Sequence, residues 1–157
     1  MAKNLYITAT ETKSGKSAIV LGMMQLLMRN VRKVAFFRPI INQPLDNAKD
    51  HDINLVLTHF GLDIPYEATY AYTLQNARNI INSGQHEVLL DNILNKYKAL
   101  ESEYDFVLCE GTDFMGKDAA FEFDLNTDIA ANLGCPVLIV ANGSGKSAQE
   151  IIDSTQL

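Results

Sequence analysis

Basic residues are in short supply: thirteen lysines and arginines stand against nineteen aspartates and glutamates, for a net charge of -6. Nucleic-acid binding needs a basic footprint to displace counterions from phosphates, so a broad nucleic-acid interface is excluded. A small, local anion site is not. Cysteine is scarce as well. Cys109 and Cys135 sit in or beside the apolar runs FVLC and CPVLIV, and neither has metal-ligand spacing. Both are expected to be buried, reduced thiols of a cytoplasmic protein. The three histidines, His51, His59 and His86, show neither metal nor triad spacing and read as surface or loop residues. Long apolar runs are missing too. SAIVLGMMQLLM (17–28) comes nearest, but it is too short for a bilayer and starts too late for a usual signal sequence. It also follows a Gly-Lys-Ser triplet rather than a basic segment. It reads as a buried helix, and no membrane partner is expected.

What is present describes one domain. At 157 residues and 47% hydrophobic content, the chain is long enough for a single substantial core. NLYITA (4–9), KVAFFR (33–38), DFVLCE (105–110) and PVLIVA (136–141) are nearly continuous apolar runs, too short for helices. Such runs are expected of strands covered on both faces. Between them lie helical stretches. Residues 16–30 form the first. DINLVLTHF (52–60) places Ile53, Val56, Leu57 and Phe60 on one side, with Gly61 as a stop. Residues 86–101 repeat the pattern with Val88, Leu89, Ile93, Leu94 and Tyr97, and 128–133 and 148–152 are shorter candidates. Alternating strands and helices predict an α/β fold, a parallel sheet with helices on both faces. NQPLDNAKDH (42–51) is polar and turn-rich, a loop within the domain. The last residues, Ser154 to Leu157, fall in a helical stretch where such a sheet would still need strands. Residues 1–157 are therefore expected to be one domain at the N-terminal end of a longer chain.

The Gly-Lys-Ser triplet occurs twice, in TKSGKS (12–17) and GSGKS (143–147). A phosphate-binding loop needs a strand to deliver the chain, a turn that points N–H groups inward, and a helix whose positive end faces the anion. The first copy has all three. Its candidate ligand contacts are Thr10, Glu11, Thr12, Lys13, Ser14, Gly15, Lys16 and Ser17. Lys16 would reach the β- and γ-phosphates, and the Ser17 hydroxyl would bind Mg²⁺. Thr10 stands where the G-x-x-x-x-G-K-[ST] pattern has its first glycine. The second copy would have to start that pattern at Val140, still inside a strand. It reads instead as a glycine turn with Ser144 or Ser147 as helix cap.

Magnesium prefers carboxylates beside the phosphates. Glu110 ends a strand at the sheet edge where open α/β sheets bind ligands. Asp52 lies at the start of a helix and is either a metal ligand or that helix's cap. Asp113 is a further candidate.

With these residues in place, the loop ATETKSGKS resembles that of the dethiobiotin synthetases. FFRPI (36–40), DHDINLVL and DFVLCEG look like that family's later segments. The resemblance implies a P-loop NTPase-like, dethiobiotin synthetase-like fold, with Lys16 on phosphate and Ser17, Asp52 and Glu110 around Mg²⁺. Arg38 stands where those ligases carry a lysine that assists carbamate chemistry, which leaves it as a candidate anion or ligand contact. Arginine is a poor substitute for a lysine point charge.

A second resemblance covers nearly the whole chain. YITATETKSGKSAIVLGMMQLL followed by KVAFFRPI, and DLNTDIAANLGCPVLIVANG (124–143), are similar to the N-terminal domain of long-form phosphate acetyltransferases. That implies a non-catalytic regulatory and structural module binding ATP or another nucleotide with Mg²⁺. It further implies a C-terminal catalytic domain in the same longer chain and a homo-oligomeric whole. The alternatives are an ATP-dependent dethiobiotin synthetase or cobyrinic acid a,c-diamide synthase-like ligase, and a positioning ATPase of the Min or Par type. The last would need a lysine where Glu11 stands.

Overall fold

The computed structural model describes residues 3–42, 48–112 and 119–155; Asp113 and the middle of the polar loop lie outside them. Four strands form a parallel sheet: β1 (Lys3–Ala9), β2 (Val34–Phe37), β5 (Phe106–Glu110) and β6 (Val137–Val140), in the order β2-β5-β1-β6. These are the four apolar runs read from the sequence. A short parallel pair, β3 (Ile40–Ile41) with β4 (Tyr72–Thr73), lies apart from it. The helices are α1 (Lys16–Asn30), α2 (His51–Phe60), α3 (Leu74–Asn82), α4 (His86–Glu103), α5 (Ala119–Leu133) and α6 (Ala148–Thr155).

Side chains along a strand alternate between faces, and here both faces are covered. Tyr6, Ala35, Phe37, Val107 and Cys109 pack with Leu89, Ile93 and Tyr97 of α4 and Leu125 and Ile129 of α5. On the other side Ile7, Val34, Phe36 and Leu108 meet Val20 and Met24 of α1 and Ile53 and Val56 of α2. Each such fully buried side chain contributes about 1.5–3 kcal/mol. That double cover is why β1, β2 and β5 are apolar throughout; at the edge strand β6 the expected cover is incomplete, with Val137 and Ile139 47% and 37% exposed. Cys109 and Cys135 are free and buried on the α4–α5 side, as expected. Burial pushes the Cys109 thiol up, while its hydrogen bond to Cys135 draws the Cys135 thiol down.

Three readings change. Helix α1 is not buried all round: Val20 and Met24 face the core, whereas Ile19 and Leu26 are 43% and 56% exposed. A helix lying on a sheet buries one stripe only, whatever its other side carries. Helix α5 begins nine residues before the expected 128, with Leu125, Ile129 and Leu133 at four-residue spacing on its buried face. Helix α3 was not expected from its polar sequence LQNARNIIN; it buries Ala77 and is capped by Thr73, whose side chain accepts from the Asn76 N–H. Gly61 does stop α2, in the left-handed region at φ 60°. No described helix is long and apolar enough to cross a membrane.

Candidate functional site

Strand β1 delivers the chain to the edge of the sheet where its neighbours also end. The Thr10 N–H donates to the Val140 carbonyl at 3.2 Å, and Ile7 is in register with Glu110. The loop then turns through Lys13 at φ 57° and Gly15 at φ 88° into α1. A Cβ on Gly15 would meet nothing within 4 Å, so the backbone conformation rather than space calls for glycine. Glu11, Lys13, Ser14, Gly15, Lys16, Ser17 and Ala18 line one cleft. At the start of α1 no side chain caps the helix, and no acidic residue stands in its first turn. Its leading N–H groups carry the positive end of the helix dipole and have no side-chain acceptor.

Lys16 was expected to be a site charge closing over an anion. In the structure it lines the loop cleft but is held back from it: its side chain is only 4% exposed, Nζ donates to the Gly111 carbonyl at 2.6 Å, and Glu110 Oε1 lies 3.3 Å away. Glu110 is fully buried. Helix α1 starts beside the end of β5, so the loop lysine and the strand-end carboxylate neutralise one another across the sheet edge.

Ser17, Asp52 and Glu110 line a second, narrow cleft together with Val20, Leu21, Leu55 and Val56. The three residues named for Mg²⁺ are thus brought together. Among the described residues no group of three or more His, Cys, Asp and Glu is placed to hold a metal. One hydroxyl and two carboxylates nonetheless suit Mg²⁺, which takes few protein oxygens and fills its shell with water and phosphate.

Arg38 is buried and does not face the loop cleft. Its Nη1 donates to both oxygens of Asp50, at 3.0 and 3.3 Å, and to Asp52 Oδ2 at 2.8 Å. Asp50, not Asp52, caps α2, accepting from the N–H groups of Asp52 and Ile53 at 3.1 Å each. The Asp50 N–H in turn donates to the Tyr66 hydroxyl. Arg38 is thereby a strut joining the end of β2 to the start of α2.

Sequence reasoning missed a buried polar set beside Gly111. The Tyr6 hydroxyl and the Thr112 N–H both donate to Asn126 Oδ1, at 2.8 and 3.0 Å, and Asn126 Nδ2 returns to the Thr112 carbonyl at 3.3 Å. Burial raises the Tyr6 hydroxyl well above the usual phenol range. The buried hydroxyls of Thr8 and Thr10 have no hydrogen-bond partner among the described residues. A Cβ on Gly111 would lie 2.7 Å from Asn126 Oδ1 and 3.0 Å from Thr8 Oγ1, so the backbone passes here only as glycine. The available signal was Asn126, an amide standing between Leu125 and Ile129 on the core side of α5.

The second Gly-Lys-Ser loop takes the bland form expected of it. Ser147 and Glu150 make a capping box at the start of α6: the Ser147 N–H donates to Glu150 Oε2 at 2.7 Å and the Glu150 N–H to Ser147 Oγ at 3.3 Å. Lys146 turns back to the first loop, its Nζ 2.5 Å from Glu11 Oε1.

The chain is 76% identical to a phosphate acetyltransferase of Nitratidesulfovibrio vulgaris over 157 residues, 100% of this chain and 22% of the relative. A phosphate acetyltransferase of Synechocystis sp. is 42% identical over 156 residues, 99% of this chain and again 22% of the relative. The chain thus spans about a fifth of the length of these curated relatives. An ATP-dependent dethiobiotin synthetase of Sulfurovum sp. is 32% identical over 146 residues, covering 89% of this chain and 69% of that protein. The profile of a family described as an AAA domain matches residues 3–157. Nearly the whole chain is covered, and it belongs to this AAA-domain family.

Proposed function

We propose that this chain is the N-terminal nucleotide-binding domain of a phosphate acetyltransferase, regulatory and structural rather than catalytic. The whole protein would interconvert acetyl-CoA and phosphate with acetyl phosphate and CoA, using a catalytic domain in the remaining four-fifths of such a chain. The observation that carries nucleotide binding is the gathering of Ser17, Asp52 and Glu110 along one cleft at the foot of an uncapped helix. The 76% identity to a phosphate acetyltransferase names the host. In this reading the N–H groups at the start of α1 receive a phosphate, and Lys16 moves from the Gly111 carbonyl to a phosphate oxygen. Ser17, Asp52 and Glu110 are the residues that would hold Mg²⁺, which when bound offsets phosphate charge. The dethiobiotin synthetase-like form of the fold, a homo-oligomeric assembly and a cytoplasmic location belong to the same proposal.

An ATP-dependent ligase is the second reading, favoured by the Sulfurovum relative. Arg38 counts against it. It stands where the resemblance puts a catalytic lysine, and it is occupied by Asp50 and Asp52.

Calorimetric titration with ATP and GTP in the presence of Mg²⁺ tests the proposal. Saturable binding is expected, weakened at least tenfold in Lys16→Met and losing its Mg²⁺ dependence in Ser17→Ala. Lys16→Met removes a buried partner of Glu110, so a circular dichroism spectrum and thermal melt of the variant accompany the titration, and Lys16→Arg serves as the variant that keeps the pair. No binding by wild type, or equal binding by all variants, would reject the loop assignment. ATP hydrolysis that requires an added diamino acid or cobyrinic acid would favour the ligase.

A further inference from the structure

The two Gly-Lys-Ser loops touch, and nothing in the proposed function uses that contact. Ala9 is in register with Val140, so β1 and β6 release their loops side by side from the same sheet edge. Glu11 lines the cleft of the first loop, and Lys146 of the second reaches it at 2.5 Å. Both ends of the pair are partly open to water, at 32% for Lys146 and 40% for Glu11. The second loop is braced from within. The Ser144 N–H donates to Asn142 Oδ1 at 2.9 Å and the Lys146 N–H to the Gly143 carbonyl at 3.2 Å, and the Ser147–Glu150 capping box follows. Lys146 is therefore presented from a fixed platform.

Glu11 presents a chemical problem in that position. A carboxylate lining a cleft meant for a polyphosphate repels its ligand. Lys146 cancels that charge without coming from the first loop at all. We propose that Lys146 is a charge-masking positioning residue of the phosphate loop: it neutralises Glu11, and the second Gly-Lys-Ser triplet serves the first instead of holding a phosphate of its own. The proposal rests on the reading that the first loop binds nucleotide phosphates.

The consequence is a pair of opposite effects. Removing Lys146 leaves Glu11 facing the ligand, whereas removing the Glu11 charge leaves Lys146 as an additional cation. A unit charge several ångströms from a polyphosphate in wet surroundings changes affinity by about three- to tenfold, and salt screens it. Mg²⁺-ATP titration of the chain at 50 mM and 500 mM salt is the test. Lys146→Ala should weaken binding by about that factor, Glu11→Gln should strengthen it similarly, and the double variant should return to wild type. All differences should shrink at high salt. A platform role alone would give no salt dependence and no rescue.

The outcomes separate cleanly. If binding depends on Lys16 but Lys146→Ala and Glu11→Gln both match wild type, the masking role is overturned while the loop reading stands. If Lys146→Ala weakens binding and Glu11→Gln fails to restore it, Lys146 touches the phosphates itself and masking is overturned again. Binding that ignores Lys16, or no ATP binding at all, overturns the loop reading and the masking role with it.

Discussion

Lys16 and Lys146 hold the same place in the same Gly-Lys-Ser triplet, each between a strand of one parallel sheet and the helix that follows, yet their circumstances are opposite. Lys16 is buried against Glu110 and the Gly111 carbonyl, at the foot of a helix with no side-chain cap. Lys146 is a third exposed, and the helix after it is closed by Ser147 and Glu150. A carboxylate already occupies the second helix start; the first has none. The difference teaches that the triplet does not make a phosphate site. What sets the two copies apart is whether the helix start is already capped, together with the neighbouring strand end. A helix start satisfied by its own glutamate has little left to offer an anion, whereas one without a side-chain cap leaves its N–H groups open to one.

The strongest way to test the contrast is stability. Lys16→Ala removes one partner of a buried pair, which costs about 3–5 kcal/mol. Lys146→Ala breaks a solvent-screened pair and costs under about 1 kcal/mol. Urea denaturation of the two variants should separate their midpoints widely. Similar midpoints would mean that Lys16 is not held as described.

Space gives the next contrast. Gly111→Ala drives a methyl group to 2.7 Å from Asn126 Oδ1, itself fixed by Tyr6 and Thr112. A loss of about 1–3 kcal/mol is expected, the usual cost of overpacking. At Gly143 the nearest atom is the tip of Ile151, 3.3 Å away at the end of a flexible side chain. Gly143→Ala should therefore stay within about 0.5 kcal/mol of wild type. Equal losses by thermal melting would erase the distinction between a constrained and a tolerant loop.

How much of this was legible beforehand follows from what each feature depends on. Strands β1, β2 and β5 could be read because strands covered on both faces need continuous apolar runs, and Ile7, Phe36, Phe37, Leu108 and Cys109 supply them; β6 was found by the same pattern although Val137 and Ile139 are exposed. The pair β3–β4 could not, because two-residue strands leave no pattern. Helix α3 was hidden by its polar sequence, three of its nine residues being Asn, a modest helix former, and tertiary packing at Ala77 decides it. In the site, the residues could be named from the sequence but their partnerships could not. Lys16 with Glu110, Arg38 with Asp50, and Lys146 with Glu11 are pairings set by which strands and helices end side by side. Periodicity says which way a side chain faces, but not which distant residue it meets there.

The smallest effect concerns how the second loop is held. Hydrogen bonds from the Ser147 N–H and hydroxyl keep the Glu150 carboxyl below its ordinary value of 4.5. A carboxyl whose folded value is depressed stabilises the fold fully above its unfolded value and loses that contribution as pH falls through the folded one. The capping box should therefore be intact at neutral pH and weaken only on acidification below about 4.5. Nuclear magnetic resonance can follow the Ser147 amide shift during an acid titration. In wild type the shift should move with the Glu150 carboxylate, at a midpoint below that of an unstructured glutamate; in Glu150→Gln it should be flat. The first loop has no such carboxylate at its helix start, so the Ser17 and Ala18 amides should not respond over the same range through a cap of their own. A matching response there would mean that both helix starts are capped alike, and the contrast on which the assignment of the two loops rests would be gone.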